Sequence, residues 1–278
     1  MYENSNNIQL DLYDDTQVVW RYMDFTKFLS MLQYKALFFC SCSLMQKMDP
    51  FEGEYPKNNL KNLRDKKDSV QLSREYTQKP AAYRRKFLEN VGINCWHAND
   101  TENAAMWKVY LSSKDGIAVK STIKNLKESF NLNEEDVVYI GNIHYNNYEF
   151  NDIDMNYNEY LENVIELADK EISKKFLSDS DILNKLAKHY YPLIMSKRKE
   201  FEYGKEIRLI SPINQKTKTK RLKNDGKFVN SDLNTLIDEI IISPSSDKWY
   251  VDLVKDVVKS YGLEDKRTFQ SKIYEKFD

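Results

Sequence analysis

The chain has 278 residues, 41% hydrophobic and 31% charged, which is the balance of an ordinary globular protein and not of a disordered one. Its formal net charge of −1 provides no global field toward nucleic acid or a membrane, so any such binding has to come from a local patch. Three cysteines are too few for a disulfide framework, and no apolar run approaches the roughly 20 residues that span a bilayer; with a polar start that lacks a secretory core, the cytoplasm is expected and membrane partners are not.

In chain order, Val18 to Tyr22 is β-branched and aromatic and predicts a first strand. Asp24 can cap a helix whose apolar positions Phe25, Phe28, Leu29 and Leu32 recur at helical spacing. Leu37 to Cys42 predicts a second strand, leading into a turn at Met48-Asp49-Pro50-Phe51-Glu52. The stretch 57–69 is rich in Asn, Lys and Asp and reads as an exposed polar insertion, followed by a helix over 81–88. Ile93 to His97 is a strand, after which Thr101 caps a helix carrying Met106, Trp107 and Tyr110. Gly116 to Lys120 is a short strand ending in Ser121-Thr122, and residues 137–145 predict one longer strand. An amphipathic helix over 160–176 and a second one from Ser180 or Asp181 form a helical block near 158–195, with Pro192 bending or ending the second. Strands at 206–210 and 236–242 follow, then a last helix capped by Ser245 or Ser246. Irregular interleaving without a composition break predicts a single α+β domain over 1–278, with a mixed, largely antiparallel sheet and flanking helices.

Seven unclustered glycines exclude the glycine-rich phosphate loops of Rossmann and P-loop proteins, so side chains must hold the phosphates of any bound nucleotide. The densest polar stretch is Glu202 to Ile210, where strand alternation puts Glu206 and Arg208 on one face; the plain alternative is a solvent-facing ion pair. Arg21, opposite in face to Trp20 and Tyr22, calls for an anionic partner, either a carboxylate of the chain or a ligand phosphate. Ser121 and Thr122 could position a ribose, or Thr122 could simply cap the next helix. Cys40, Cys42, Cys95 and His97 have same-face spacings, but small buried cysteines are commoner than zinc sites with such spacing, and no metal is assigned. The basic run Lys216 to Lys223 lacks the aromatics of a base-stacking surface and reads as a loop.

These segments resemble the bacterial domain-of-unknown-function family 2971. The resemblance rests on Trp20-Arg21-Tyr22, Met48-Asp49-Pro50-Phe51-Glu52, Cys95-Trp96, the helix Met106-Trp107-Lys108-Val109-Tyr110, the strand from Gly116, and Glu206 with Arg208. The family's first acid on that last strand is replaced by Gly204. The order Arg21, Ser121-Thr122, Glu206 is also similar to the arrangement of ADP-ribosyltransferases. That resemblance implies NAD as the substrate, held by Arg21, Tyr22, Tyr110, Ser121, Thr122 and Arg208, with Arg21, Ser121 and Glu206 as the catalytic set. It implies an ADP-ribosyltransferase-like fold and a toxin or phage-defence role, with transfer to a protein or nucleic-acid acceptor or hydrolysis of NAD, and a cognate antitoxin or defence partner. The alternatives are a catalytically inert interaction module and a nucleic-acid-processing protein.

Overall fold

Eleven strands and ten helices follow one another in the computed structural model, which describes residues 14–69, 74–130, 137–173, 179–213 and 226–276. In order they are β1 (Val18–Met23), α1 (Phe25–Tyr34), β2 (Ala36–Ser41), α2 (Cys42–Met45), α3 (Lys57–Ser69), α4 (Arg74–Glu89) and β3 (Val91–Ala98). Then come α5 (Ala104–Tyr110), β4 (Ile117–Thr122), α6 (Ile123–Ser129), β5 (Tyr139–Asn142), β6 (His144–Asn146), α7 (Tyr157–Ile172), α8 (Asp179–Ile194) and β7 (Ser196–Arg198). A 3-10 turn over Lys199–Gly204 leads to β8 (Glu206–Pro212), β9 (Gly226–Asn230), α9 (Leu233–Leu236), β10 (Glu239–Ile242), α10 (Lys248–Ser260) and β11 (Arg267–Gln270). The fold is α+β, and none of the described helices is long and apolar enough to cross a membrane.

Nine strands form one mixed sheet in the order β11-β10-β4-β1-β3-β2-β9, with β8 on the other edge of β3 and β5 beyond it. All its pairings are antiparallel except β10 with β11. Two strands therefore share one edge of β3. β2 meets it at Ile93 and Gly92, and β1 meets it at His97 and Ala98. Between these contacts, Asn94 to Trp96 have no ladder partner on that edge, so the sheet is split.

Alternation along the strands sorts the core. On one face, Val19, Trp96, Val119, Ile207 and Leu209 pack under α1, α6 and α10. The other face carries two apolar clusters: Trp20, Tyr22 and Ala118 under α5 at one end, and Ile93 and Ile210 under α4, α7 and α8 at the other. Glu206 and Arg208 lie on this second face, since β8 keeps them in phase with Ile210.

Several expected boundaries shift. Residues 57–69 form helix α3, mostly exposed as expected but helical, with Asn59 and Leu63 buried. Asn59 is fully buried there, accepting from Ile153 N (2.8 Å) and donating to Ile153 O (2.7 Å), which docks a polar helix by hydrogen bonds in place of apolar area. The expected long strand at 137–145 is two strands, because β5 pairs with β8 while β6 pairs with β7 in a separate parallel ribbon. Asn103, and not Thr101, caps α5, and α10 begins after Asp247 and not after Ser245 or Ser246. Leu236 ends the short helix α9 and does not start a strand. Pro192 lies inside α8, which ends two residues later at Ile194. The basic run 216–223 lies outside the described residues.

Gly226 sets how closely β9 approaches β2. Its φ is +146°, and a Cβ there would sit 2.1 Å from the Phe39 carbonyl oxygen, so both strain and overlap oppose any side chain. Gly226→Ala is expected to cost about 3 kcal/mol of stability in urea denaturation; a loss within experimental error of zero would show that the β2–β9 edge yields readily.

Candidate functional site

Arg208 is a fully buried guanidinium in the middle of the sheet, a position that is tolerable only if its charge and donors are matched. Its Nε donates to Glu206 Oε1 at 2.7 Å, and its Nη1 donates to Glu52 Oε1 and to the Ile194 carbonyl. Nη2 also sits 2.7 Å from Glu206 Oε1, as a charge contact without hydrogen-bond alignment. Lys197, on β7, adds a second cation, 3.1 Å from Glu206 Oε2 and 4.0 Å from Glu52 Oε2. The result is a buried quartet of two acids and two bases from three chain segments.

Burial alone would raise the Glu206 carboxyl, but Arg208 and Lys197, with hydrogen bonds from Cys95 and Arg208, outweigh it and bring it down to about 2. For Arg208 burial likewise works against the charge, and Glu206 and Glu52 reverse that, so the guanidinium is held more firmly than usual. Tyr145 accepts from the Glu206 amide at 2.7 Å, closing the site from the β6 side. Next to the quartet, Arg198 pairs with Asp49 at 3.1 Å and stacks on Phe51 at 4.3 Å.

The split in the sheet opens into a cleft of about 590 Å³. It is walled mainly by apolar side chains, among them Met31, Leu37, Phe38 and Trp96, and its polar groups include Arg21, Lys27, Asn94, Cys95, His97 and Tyr110. This size and character suit a small-molecule site. Arg21 is its most unusual member. Its Nη1 is buried without a hydrogen-bond partner, and the guanidinium forms no ion pair among the described residues. Its one described contact of this kind is with the Trp96 ring, 5.9 Å away. Burial weakens its hold on the proton, and only the Cys95 and Tyr110 groups oppose that.

The cleft and the quartet meet at a thin wall. Cys95 lines the cleft, and burial, followed by the nearby Glu206 charge, pushes its thiol up. Burial and then Glu206 raise the Tyr110 hydroxyl in the same way, although its ring is half exposed. His97 Nδ1 is 2.6 Å from the Gly204 carbonyl, and burial holds the ring below its ordinary pKa. It is therefore neutral, with Nδ1 as the donor.

Of the residues expected at the site, Arg21, Tyr22 and Tyr110 line the cleft. Glu206 and Arg208 lie behind its wall, on the opposite sheet face from Arg21. Ser121 does not reach it: its hydroxyl is fully buried and donates to the Leu236 carbonyl at 2.5 Å. Thr122 caps α6 by accepting from Asn125 N at 3.1 Å, the plainer of its two readings. Arg21, Ser121 and Glu206 are thus not gathered around one point. Sequence reasoning assigned no role to Glu52, Lys197 or Asn94. Glu52 had a signal, since it ends the Asp-Pro-Phe-Glu turn that carries the family resemblance. Cys40, Cys42 and Cys95 form no disulfide, and among the described residues no three His, Cys, Asp or Glu side chains are placed to hold a metal.

No protein-family profile, curated protein or solved structure matches the chain.

The quartet makes stability depend on pH in a defined window. Glu206 sits near 2 when folded, against 4.5 unperturbed, so its contribution is complete above the unfolded value and is lost as pH falls toward the folded one. Urea midpoints should therefore drop between about pH 5 and pH 2. Glu206→Gln should be less stable at neutral pH and flatter across that range. Parallel acid limbs in the two proteins would show that Glu206 is not held ionised.

Proposed function

We propose that this chain binds NAD in the cleft of the split sheet, as an ADP-ribosyltransferase-like protein that transfers ADP-ribose to an acceptor or hydrolyses NAD. One observation carries the reading: an arginine whose Nη1 is buried without a hydrogen-bond partner lines a mainly apolar cleft. An unpaired guanidinium is costly to bury, and a ligand phosphate would supply the missing acceptor through charge-assisted hydrogen bonds. Trp96 and Phe38 offer flat apolar surface for a base. A sheet that opens between two strands sharing one neighbour gives a deep site without glycine-rich loops, in keeping with a chain so poor in glycine.

The glycosidic step would fall to Glu206. Cleavage of the nicotinamide–ribose bond passes through an oxocarbenium-like state, which an ionised carboxylate stabilises. The surrounding cations keep Glu206 ionised, and its strand partner His97 and the neighbouring Cys95 line the cleft. Ser121 has no part in this scheme, because its hydroxyl is spent on Leu236.

A second reading is a binding module without catalysis. The saturation of Glu206 favours it, since both carboxylate oxygens already accept from cations.

Calorimetry with NAD and a nicotinamide-release assay separate the two. The parent protein should bind NAD, and Arg21→Gln should weaken binding by about tenfold or more, the worth of a charged hydrogen bond. Release that is present in the parent and abolished in folded Glu206→Gln would establish the transferase or hydrolase. Arg21-dependent binding without release would leave the module, and absence of binding would remove NAD altogether.

A further inference from the structure

The split exposes backbone as well as side chains. Ala98 N–H donates to Lys205 O at 2.9 Å, and Ile213 N–H donates to Asn90 O at 2.8 Å. In an antiparallel pair such residues alternate in the direction their peptide groups face. Residues 90, 92, 94, 96 and 98 therefore turn toward β8, and 91, 93, 95 and 97 turn toward the other edge. On that edge Ile93 meets Cys40 of β2, and His97 meets Trp20 of β1. Cys95 falls between them, with its N–H and C=O directed at the cleft and no ladder partner.

The facing strands carry the same pattern. Asn99 N–H donates to Val18 O, which puts Val18, Trp20 and Tyr22 in phase toward β3. Ser231 N–H donates to Lys35 O, which turns Phe38 away from β9 and toward the cleft. The Phe38 carbonyl is taken by the side-chain amide of Asn94 at 2.8 Å. Asn94 thus props β2 off β3 and leaves the gap at Cys95 open.

We infer that the cleft recognises a planar amide edge, an N–H donor and a C=O acceptor side by side on a flat group, docked on the peptide group of Cys95, with an anionic substituent on Arg21. The gap is one ladder position wide. An incoming strand could not form a ladder there, whereas a carboxamide, a lactam or a nucleobase can make both hydrogen bonds. Trp96 and Phe38 supply apolar surface for the flat group. This inference rests on the cleft being a ligand site, as in the proposed function, but not on NAD. A nicotinamide carboxamide and a pyrimidine base present the same edge.

Residue-resolved amide hydrogen exchange on the full chain tests it, with NAD, its nicotinic acid analogue and uridine monophosphate as probes. In the free protein the Cys95 amide should exchange about tenfold or more faster than those of Ile93 and His97, which have ladder partners. NAD or uridine monophosphate should slow it, and the nicotinic acid analogue, which lacks the donor, should bind about tenfold more weakly than NAD where NAD binds. Slowing by uridine monophosphate alone would support the amide edge and overturn the NAD reading. Arg21-dependent NAD binding that leaves Cys95 exchange unchanged would overturn the amide edge and keep the NAD reading. If Cys95 is already as protected as its neighbours, or none of the probes slows it, the inference falls.

Discussion

The charge on Arg208 is the constraint around which the second face of the sheet is organised. A guanidinium with no solvent exposure, on a strand flanked by β3 and β5, needs acceptors on every side. The chain supplies them from near and far: Glu52 from the turn after α2, the Ile194 carbonyl from the end of α8, and Glu206 from two residues away on the same strand. Lys197 then offsets the second negative charge. Removing any one partner would leave a bare charge in a dry interior, a defect that typically costs about 3–5 kcal/mol. The quartet thereby fixes how α8 and the Asp-Pro-Phe-Glu turn meet the sheet. It also keeps the two apolar clusters on that face apart.

Arg21 shows the opposite solution for the same residue type. It too stands on a central strand, yet among the described residues no carboxylate pairs with it. Met31, Leu37 and Phe38 line the cleft beside it. The two arginines lie on opposite faces of the sheet, so neither can satisfy the acids of the other. Arg208 is tied into the fold by its acceptors, whereas Arg21 turns a buried Nη1 without a hydrogen-bond partner to the cleft.

How much of this was legible in the sequence depends on the range of the interactions involved. β1, β3 and α1 could be read because alternation and the Asp24 cap are local signals, and the cap is present, with Lys27 N–H donating to Asp24 at 2.8 Å. Helix α3 could not, because its composition is that of a loop and its anchoring depends on Asn59 meeting Ile153, 94 residues away. β9 and β11 were missed for a similar reason. Each is four or five residues long and is defined by the neighbour it pairs with more than by its own pattern. At the site, alternation correctly separated Arg21 from Trp20 and Tyr22 in face. It could not show that the Ser121 hydroxyl would be claimed by Leu236, or that Glu52 and Lys197 would converge on Glu206. Nothing local marks a hydroxyl as taken or a gap in a ladder as open.

Whether the quartet is purely structural turns on its contact with the cleft. Of the groups that donate to the Glu206 carboxylate, Arg208 and Lys197 are charged and deeply held, and they keep the carboxylate ionised. Cys95, whose thiol the Glu206 charge helps to raise, lines the cleft, so one residue belongs to the surroundings of both. The cluster that holds the fold and the cleft beside it are therefore coupled at Cys95, and a change at that residue reaches both.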